Sequence, residues 1–130
     1  MDYQRVTNVT PDGLDVSVVD VFPRFDDTPE PLPLVIICPG LTSGSQDMPG
    51  ISIAKRIAAT KRYRVVAHHR RGHVAGEEGK LKAGIFHFAG DMDDIAATIR
   101  NLREKFPEQC NVPFFILGLS LGCLPACVCC

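Results

Sequence analysis

The sequence has 130 residues, 45% of them hydrophobic, which is enough material for one domain with a core of its own. Its 14 basic and 15 acidic residues are well mixed and give a net charge of −1, which argues against nucleic acids and anionic membrane surfaces as partners. The apolar runs are far shorter than the roughly 20 residues of a membrane-spanning helix, and residues 1–21 lack the layout of a signal peptide, so the default expectation is a cytoplasmic chain without a transmembrane segment.

The first third of the sequence predicts an antiparallel β segment followed by a buried strand. Residues 14–22 alternate apolar and polar side chains, which is the pattern of a half-buried edge strand. Residues 26–33 are predicted to be a loop, because the surrounding prolines lack the N–H group that a sheet requires. Residues 34–38 are continuously apolar, as in a central strand covered on both faces, and Pro39 and Gly40 end it.

The remaining sequence predicts two helices that alternate with two strands. Residues 49–60 repeat apolar side chains at helical spacing and place lysines and arginines on the other face. Residues 64–67 predict a buried strand, residues 91–106 a second helix with an acidic amino end, and residues 114–117 a short buried strand. This alternation predicts an α/β fold in a single domain: a mostly parallel sheet with helices on both faces, preceded by the antiparallel segment.

A G-x-S-x-G motif, Gly118-Leu119-Ser120-Leu121-Gly122, directly follows the last predicted strand. At the end of a strand this motif is typical of a nucleophile elbow, a sharp strand-to-helix turn that exposes the serine hydroxyl above the sheet. Glycine suits the two flanking positions because a larger side chain would collide with the neighbouring backbone. Ser120 is therefore the predicted nucleophile.

Four short motifs occur in a fixed order between residues 32 and 123. They are Pro39-Gly40-Leu41-Thr42-Ser43-Gly44-Ser45, then Arg71-Gly72, then Phe88-Ala89-Gly90-Asp91 with Asp94, and finally Gly118 to Gly122. Together they resemble the N-terminal half of an α/β-hydrolase, and more narrowly the YheT-like branch, which includes the embryogenesis-associated abhydrolase lipases. The sequence departs from that branch after the elbow, where Cys123-Leu124-Pro125 replaces a small residue and an asparagine.

The resemblance implies a serine carboxylesterase or acylglycerol lipase that transfers the acyl group of a small-molecule ester or lipid, with no cofactor and no metal. Ser120 would be the nucleophile, and the backbone N–H groups of Leu41 and Leu121 would form the oxyanion hole. In the family the acid and the histidine follow the serine, but no Asp, Glu or His follows Ser120 here. Residues 1–130 are therefore expected to be the N-terminal half of the domain and inactive by themselves, and a longer form could associate with membranes.

Two other interpretations stay open at the level of the sequence. One is a short non-catalytic protein that binds acyl ligands or a partner through an uncovered sheet edge. The other is a metal- or lipid-binding module built on the cysteines of residues 123–130. Four histidines are candidates for an alternative base or for metal ligands: His68, His69, His73 and His87. The sequence indicates no third group that would orient them, so they are interpreted as surface or loop residues.

Overall fold

Strands and helices alternate along the part of the chain that the computed structural model describes. This part comprises residues 3–11, 13, 16–38, 48–69 and 91–119, without the side chains of residues 48–50, 91 and 92. Its strands are β1 Gln4–Val9, β2 Val16–Phe22, β3 Leu34–Cys38, β4 Arg64–His69 and β5 Phe114–Gly118. Its helices are α1 Met48–Ala59, α2 Asp91–Lys105 and α3 Pro107–Cys110.

The described strands form one mixed sheet in the order β1-β2-β4-β3-β5. Strand β2 is antiparallel to both β1 and β4, whereas β3 is parallel to both β4 and β5. The chain therefore runs from β3 through α1 to the neighbouring strand β4. It then runs in the opposite direction along the sheet, from β4 through α2 and α3 to β5. Right-handed crossovers in these two directions place α1 and α2 on opposite faces of the sheet. The predicted α/β fold class, including the antiparallel segment at the N-terminus, is confirmed.

The two faces of the sheet carry separate apolar clusters. The cluster on the α2 and α3 face contains the buried residues Val6, Val19, Val21, Phe25, Leu34, Ile36, Cys38, Val66, Ile95, Ile99, Leu102 and Cys110. The cluster on the α1 face contains the buried residues Phe22, Ile37, Ala54, Val65 and Ala67. Neighbouring residues of β3 fall into different clusters because successive side chains of a strand point to opposite faces. A strand covered in this way must be apolar on both faces, which explains its unbroken apolar sequence.

The prediction of a half-buried edge strand over residues 14–22 is wrong. Within these residues the observed strand is β2, and it pairs on both sides: Val19 lies opposite Val6 of β1 and opposite His68 of β4. All of β2 after Val16 is buried. Strand β1 was not predicted from the sequence, because Val6 is its single buried residue and polar side chains occupy most of the strand. Backbone hydrogen bonds to β2, rather than an apolar pattern, define this strand.

Other element boundaries shift by one or two residues. Strand β4 extends through His68 and His69, two residues beyond the prediction, and the second helix ends at Lys105. After it comes α3, a single turn that begins at Pro107 and was not predicted from the sequence. Proline fits at the start of this turn because the first helical position needs no N–H donor.

A buried arginine ties the loop between β2 and β3 to the start of β4. The guanidinium of Arg64 donates hydrogen bonds from Nη1 to the carbonyl of Pro23 (2.7 Å) and from Nη2 to the carbonyls of Thr28 (2.5 Å) and Glu30 (3.2 Å). It also lies over the ring of Phe25, 4.5 Å from its centroid. Burial lowers the pKa of Arg64 from its ordinary value, and the nearby Cys110 and Glu30 oppose this shift. This amino edge of the sheet is thus fixed by a cation whose partners are backbone carbonyls and an aromatic ring.

Candidate active site

The carboxyl ends of β3 and β5 lie side by side. Cys38, the last residue of β3, is level with Gly118, the last residue of β5. The pairing continues one residue further, because the N–H of Leu119 donates a hydrogen bond to the carbonyl of Cys38 (3.0 Å). Gly118 and Leu119 are the first two residues of the G-x-S-x-G motif, so the chain enters this motif beside the point where β3 ends. In sheets with parallel strands, ligands bind at this edge, where the strands end.

The predicted catalytic residues themselves lie outside the described residues. These are Ser120, Leu41 and Leu121. Their neighbours in sequence are described: Cys38 comes three residues before Leu41, and Leu119 immediately precedes Ser120. The structure therefore brings together the two strand ends that lead into these residues.

Other residues that the sequence singles out also lie outside the described residues. Arg71, His73 and His87 belong to this group, and of Asp91 only the backbone is described, as the first residue of α2. Asp94, one of the residues that carry the resemblance, is buried on α2.

The interpretation of His68 and His69 as surface or loop residues is wrong. Both lie in β4, and their exposed fractions are 3% and 4%. Antiparallel pairing with β2 extends to both, with His68 opposite Val19 and His69 opposite Val18. The two rings point to opposite faces of the sheet because the residues are consecutive in a strand.

His69 is bound to a buried carboxylate that the sequence analysis did not single out. Its Nε2 lies 2.7 Å from Oδ2 of Asp20, whose side chain is 0% exposed. The same carboxylate accepts hydrogen bonds from Arg5, from Nε to Oδ1 (2.8 Å) and from Nη2 to Oδ2 (3.0 Å). A signal was present in the sequence: Asp20 stands between Val19 and Val21 in an apolar strand, and a buried carboxylate requires a partner.

The Asp20–His69 pair supplies the orienting group that the histidines lacked in the sequence analysis, but it does not face the end of β5. Strand β3 lies between β4 and β5, so His69 is about two strand spacings, roughly 10 Å, from β5. Its Nε2 faces β2, on the side away from β5. The ring is therefore held on the side of β4 that is away from the end of β5.

Within the described ranges there is neither a metal site nor an accessible thiol, since both described cysteines, Cys38 and Cys110, are buried. No group of three or more His, Cys, Asp or Glu residues in these ranges is arranged to hold a metal ion. The thiol of Cys110 is buried, which raises its pKa to about 11, so it stays protonated and unreactive at neutral pH. Among the described helices none is long and apolar enough to cross a membrane.

Comparison with solved structures identifies the fold. The chain is similar to an alpha/beta hydrolase from Penicillium sp. sh18, with a TM-score of 0.76 and 17% identity over 99% of this chain and 41% of that one. It is also similar to an esterase from Pyrococcus furiosus, with a TM-score of 0.76 and 21% identity over 96% of this chain and 42% of that one. An alpha-beta serine hydrolase homologue from Coxiella burnetii matches with a TM-score of 0.66 and 14% identity over 97% of this chain and 56% of that one.

These similarities show that the chain has an alpha/beta hydrolase fold. It spans about two fifths of the length of the first two structures. No family model matches the sequence, and no curated protein matches it.

Proposed function

We propose that the chain is the N-terminal half of a serine hydrolase domain of the carboxylesterase or acylglycerol lipase type. Ser120 is its nucleophile, and its substrate is a small-molecule ester or lipid. The observation that carries the proposal is the hydrogen bond from the N–H of Leu119 to the carbonyl of Cys38. It joins the strand that leads into the G-x-S-x-G motif to the strand that leads into Pro39-Gly40-Leu41, the two segments that acyl transfer needs side by side.

The proposed reaction is acyl transfer through a covalent intermediate. Ser120 Oγ attacks the ester carbonyl and loses its proton to a histidine, and the same histidine protonates the departing alcohol. The tetrahedral oxyanion accepts hydrogen bonds from the backbone N–H groups of Leu41 and Leu121. Water then hydrolyses the acyl-enzyme and regenerates the serine.

The histidine and its acid are proposed to belong to a part of the domain beyond residue 130. No Asp, Glu or His follows Ser120 in this sequence, and the chain covers 41% and 42% of the first two hydrolase structures compared. His69 does not replace the missing base, because its ring is bound to Asp20 on the β2 side of β4. A chain without base and acid retains at most the contribution of the oxyanion hole and of substrate binding, roughly 10³- to 10⁴-fold over water.

We assign the domain to the YheT-like branch of these hydrolases as the finer part of the proposal. The support is the four motifs in sequence, of which the elbow begins at the end of β5 and the Phe88 to Asp91 motif leads into α2. An acylglycerol or another lipid ester would then be the expected substrate class.

Fluorophosphonate labelling tests the proposal. The probe reacts with an activated serine, whose Oγ bonds to phosphorus as fluoride leaves, and intact mass shows the adduct. We expect a longer, folded product that continues past residue 130 to be labelled at Ser120, and the 130-residue chain to be labelled far more slowly. Ser120→Ala should abolish the adduct, whereas Ser52→Ala, at an exposed serine of α1, should leave it unchanged. Absence of labelling in the folded longer product, or labelling that persists in Ser120→Ala, would contradict the proposal.

A second candidate function is a short non-catalytic protein that binds a ligand or partner through β5. One observation favours it: Phe115, in the middle of this outer strand, is 55% exposed, and the other residues of β5 are only partly buried. Size-exclusion chromatography and amide NMR of the 130-residue chain distinguish the two. A stable monomer with dispersed amide signals would favour the short binding protein, whereas aggregation or poor dispersion is expected for half a domain.

A further inference from the structure

One carboxylate interrupts the apolar face of β2 that is directed toward α1. Val18 and Phe22 share this face with Asp20, since alternate residues of a strand point the same way, and both are buried apolar residues. The side chain of Asp20 is 0% exposed and accepts its hydrogen bonds from Arg5 on β1 and His69 on β4. Side chains of three neighbouring strands are thus joined through one buried carboxylate.

The sheet does not need this arrangement for strand pairing. Strands β2 and β4 are already paired over five residues, from Val18 opposite His69 to Phe22 opposite Val65. Removing charged and polar groups from water carries a desolvation penalty, and well-packed apolar residues in place of a buried pair are often neutral or stabilising. The link between Arg5, Asp20 and His69 is therefore expected to have a role other than strand pairing.

The position of this link at the end of β4 indicates what that role is. His69 is the last residue of β4, so the link terminates at the edge where β3 and β5 also end. Two N–H groups of Arg5 donate hydrogen bonds to the two oxygens of the Asp20 carboxylate, so the carboxylate is held independently of His69. The Nε2 of His69 is bound to the carboxylate, and its Nδ1 has no hydrogen-bond partner within the described residues.

We propose that His69 is a positioning residue of the hydrolase site, held by Asp20 and Arg5, and that it fixes where and in which direction β4 ends beside β3. The proposal rests on the function proposed above and adds a residue that the reaction does not touch. The Asp20 carboxylate accepts a hydrogen bond from Nε2–H of His69, so the ring and the backbone of the last β4 residue are anchored to β2. Displacement of catalytic groups by about 1 Å can lower the rate on the order of 100-fold. A side-chain link that holds the end of β4 in place would prevent such a displacement.

Three variants separate positioning from packing. His69→Leu removes the link and puts an apolar side chain of similar size in its place. His69→Gln keeps an N–H donor that reaches Asp20. His68→Leu is the matched control, because it removes an equally buried imidazole from the adjacent position on the opposite face. Each variant is made in the longer product used for the labelling experiment, and its thermal midpoint is recorded to confirm folding.

The first measurement does not depend on activity. Hydrogen exchange of the peptide that covers β4 is expected to be faster in His69→Leu than in wild type, to be unchanged in His68→Leu, and to be restored in His69→Gln. If His69→Leu exchanges no faster than His68→Leu, the proposal is overturned whether or not the serine reacts. If His69→Leu does not fold, the comparison of His69→Gln with a His69→Asn variant, which is too short to reach Asp20, replaces it.

The second measurement concerns the site. We expect His69→Leu to lower kcat for a p-nitrophenyl ester about tenfold with KM within about twofold, and His69→Gln to recover most of the loss. Unchanged kcat in a folded His69→Leu variant overturns the positioning role while the proposed function stands. Absence of turnover and labelling in wild type would instead reject the proposed function, and with it the site role of His69, even if the exchange result showed the anchor.

Discussion

The two ends of β4 hold buried polar side chains in different ways. At the amino end, Arg64 bonds to backbone carbonyls of the loop after β2 and stacks on Phe25. At the carboxyl end, His69 bonds to Asp20, a side chain that is itself held by another side chain. Backbone partners cannot be exchanged by mutation or rotated away, so the first arrangement fixes the fold. A link made of side chains alone can be removed by mutation without breaking backbone pairing, and this one lies at the edge where the proposed chemistry takes place.

The largest effect is expected from Arg64→Met. The variant keeps most of the apolar stem but leaves the carbonyls of Pro23, Thr28 and Glu30 without their donor, and we expect a loss of about 3–5 kcal/mol in the free energy of unfolding. Urea denaturation of the chain measures it. Arg62→Met, at an exposed arginine two residues earlier, is the control and should change stability by less than about 0.5 kcal/mol. Similar values for the two variants would mean that the amino end is not fixed by Arg64.

A smaller effect is expected at the other end of the strand from Asp20→Leu. The variant removes the partner of both Arg5 and His69, but Arg5 is 26% exposed and can turn to water. We therefore expect a loss of about 2 kcal/mol, less than for Arg64→Met.

The double variant Asp20→Leu with His69→Leu tests whether the two side chains act as a pair. If the carboxyl end is built for positioning rather than for stability, the double variant should regain most of the stability lost in Asp20→Leu, because no unpaired imidazole remains buried. Denaturation of the two single variants and the double variant gives the coupling free energy. Strictly additive losses would show that Asp20 and His69 do not act as a pair.

The aromatic stack beneath Arg64 should contribute less than its hydrogen bonds. Phe25 lies between Arg64 and Phe106, and its ring centroid is 3.9 Å from that of Phe106. Phe25→Leu keeps much of the apolar contact and removes the stacking, so we expect a loss of about 1–2 kcal/mol by thermal or urea denaturation. Phe115→Leu, at the exposed aromatic of β5, should have almost no effect. Equal losses at the two positions would contradict a specific role for the stack.

The smallest expected effect concerns Cys110, which lies in the same cluster as Phe25. Its pKa is raised to about 11 by burial, so the folded protein favours the protonated thiol. Its contribution to stability is complete below the pKa of the unfolded thiol, near 9, and is lost as the pH rises toward 11.

Two measurements check this prediction. The free energy of unfolding should fall between pH 9 and 11 with a steeper slope in wild type than in Cys110→Ala. Peptide mapping after iodoacetamide treatment at pH 8 should find Cys110 unmodified in the folded chain and modified in urea. Rapid alkylation of Cys110 in the folded chain would contradict its burial.

The sequence was a good guide where one local pattern dominates. The unbroken apolar run of β3 and the helical repeat of α1 appear in the structure within a residue or two of their predicted bounds. The sequence also predicts a site in two segments, after β3 and after β5; of these, the structure describes the two strands, which end level with each other. It failed for β1, whose few apolar residues gave no alternating pattern, and for His68 and His69, whose polarity suggested a loop.

Local sequence thus determined the order and type of the main elements, since the spacing of apolar residues is a property of each segment by itself. The tertiary structure decided which strands are neighbours, that β2 lies inside the sheet, and that Asp20, Arg5 and His69 meet. These contacts join residues 15 and 49 positions apart in the chain. A buried carboxylate can be recognised in a sequence as needing a partner, but only the pairing of strands brings that partner to it.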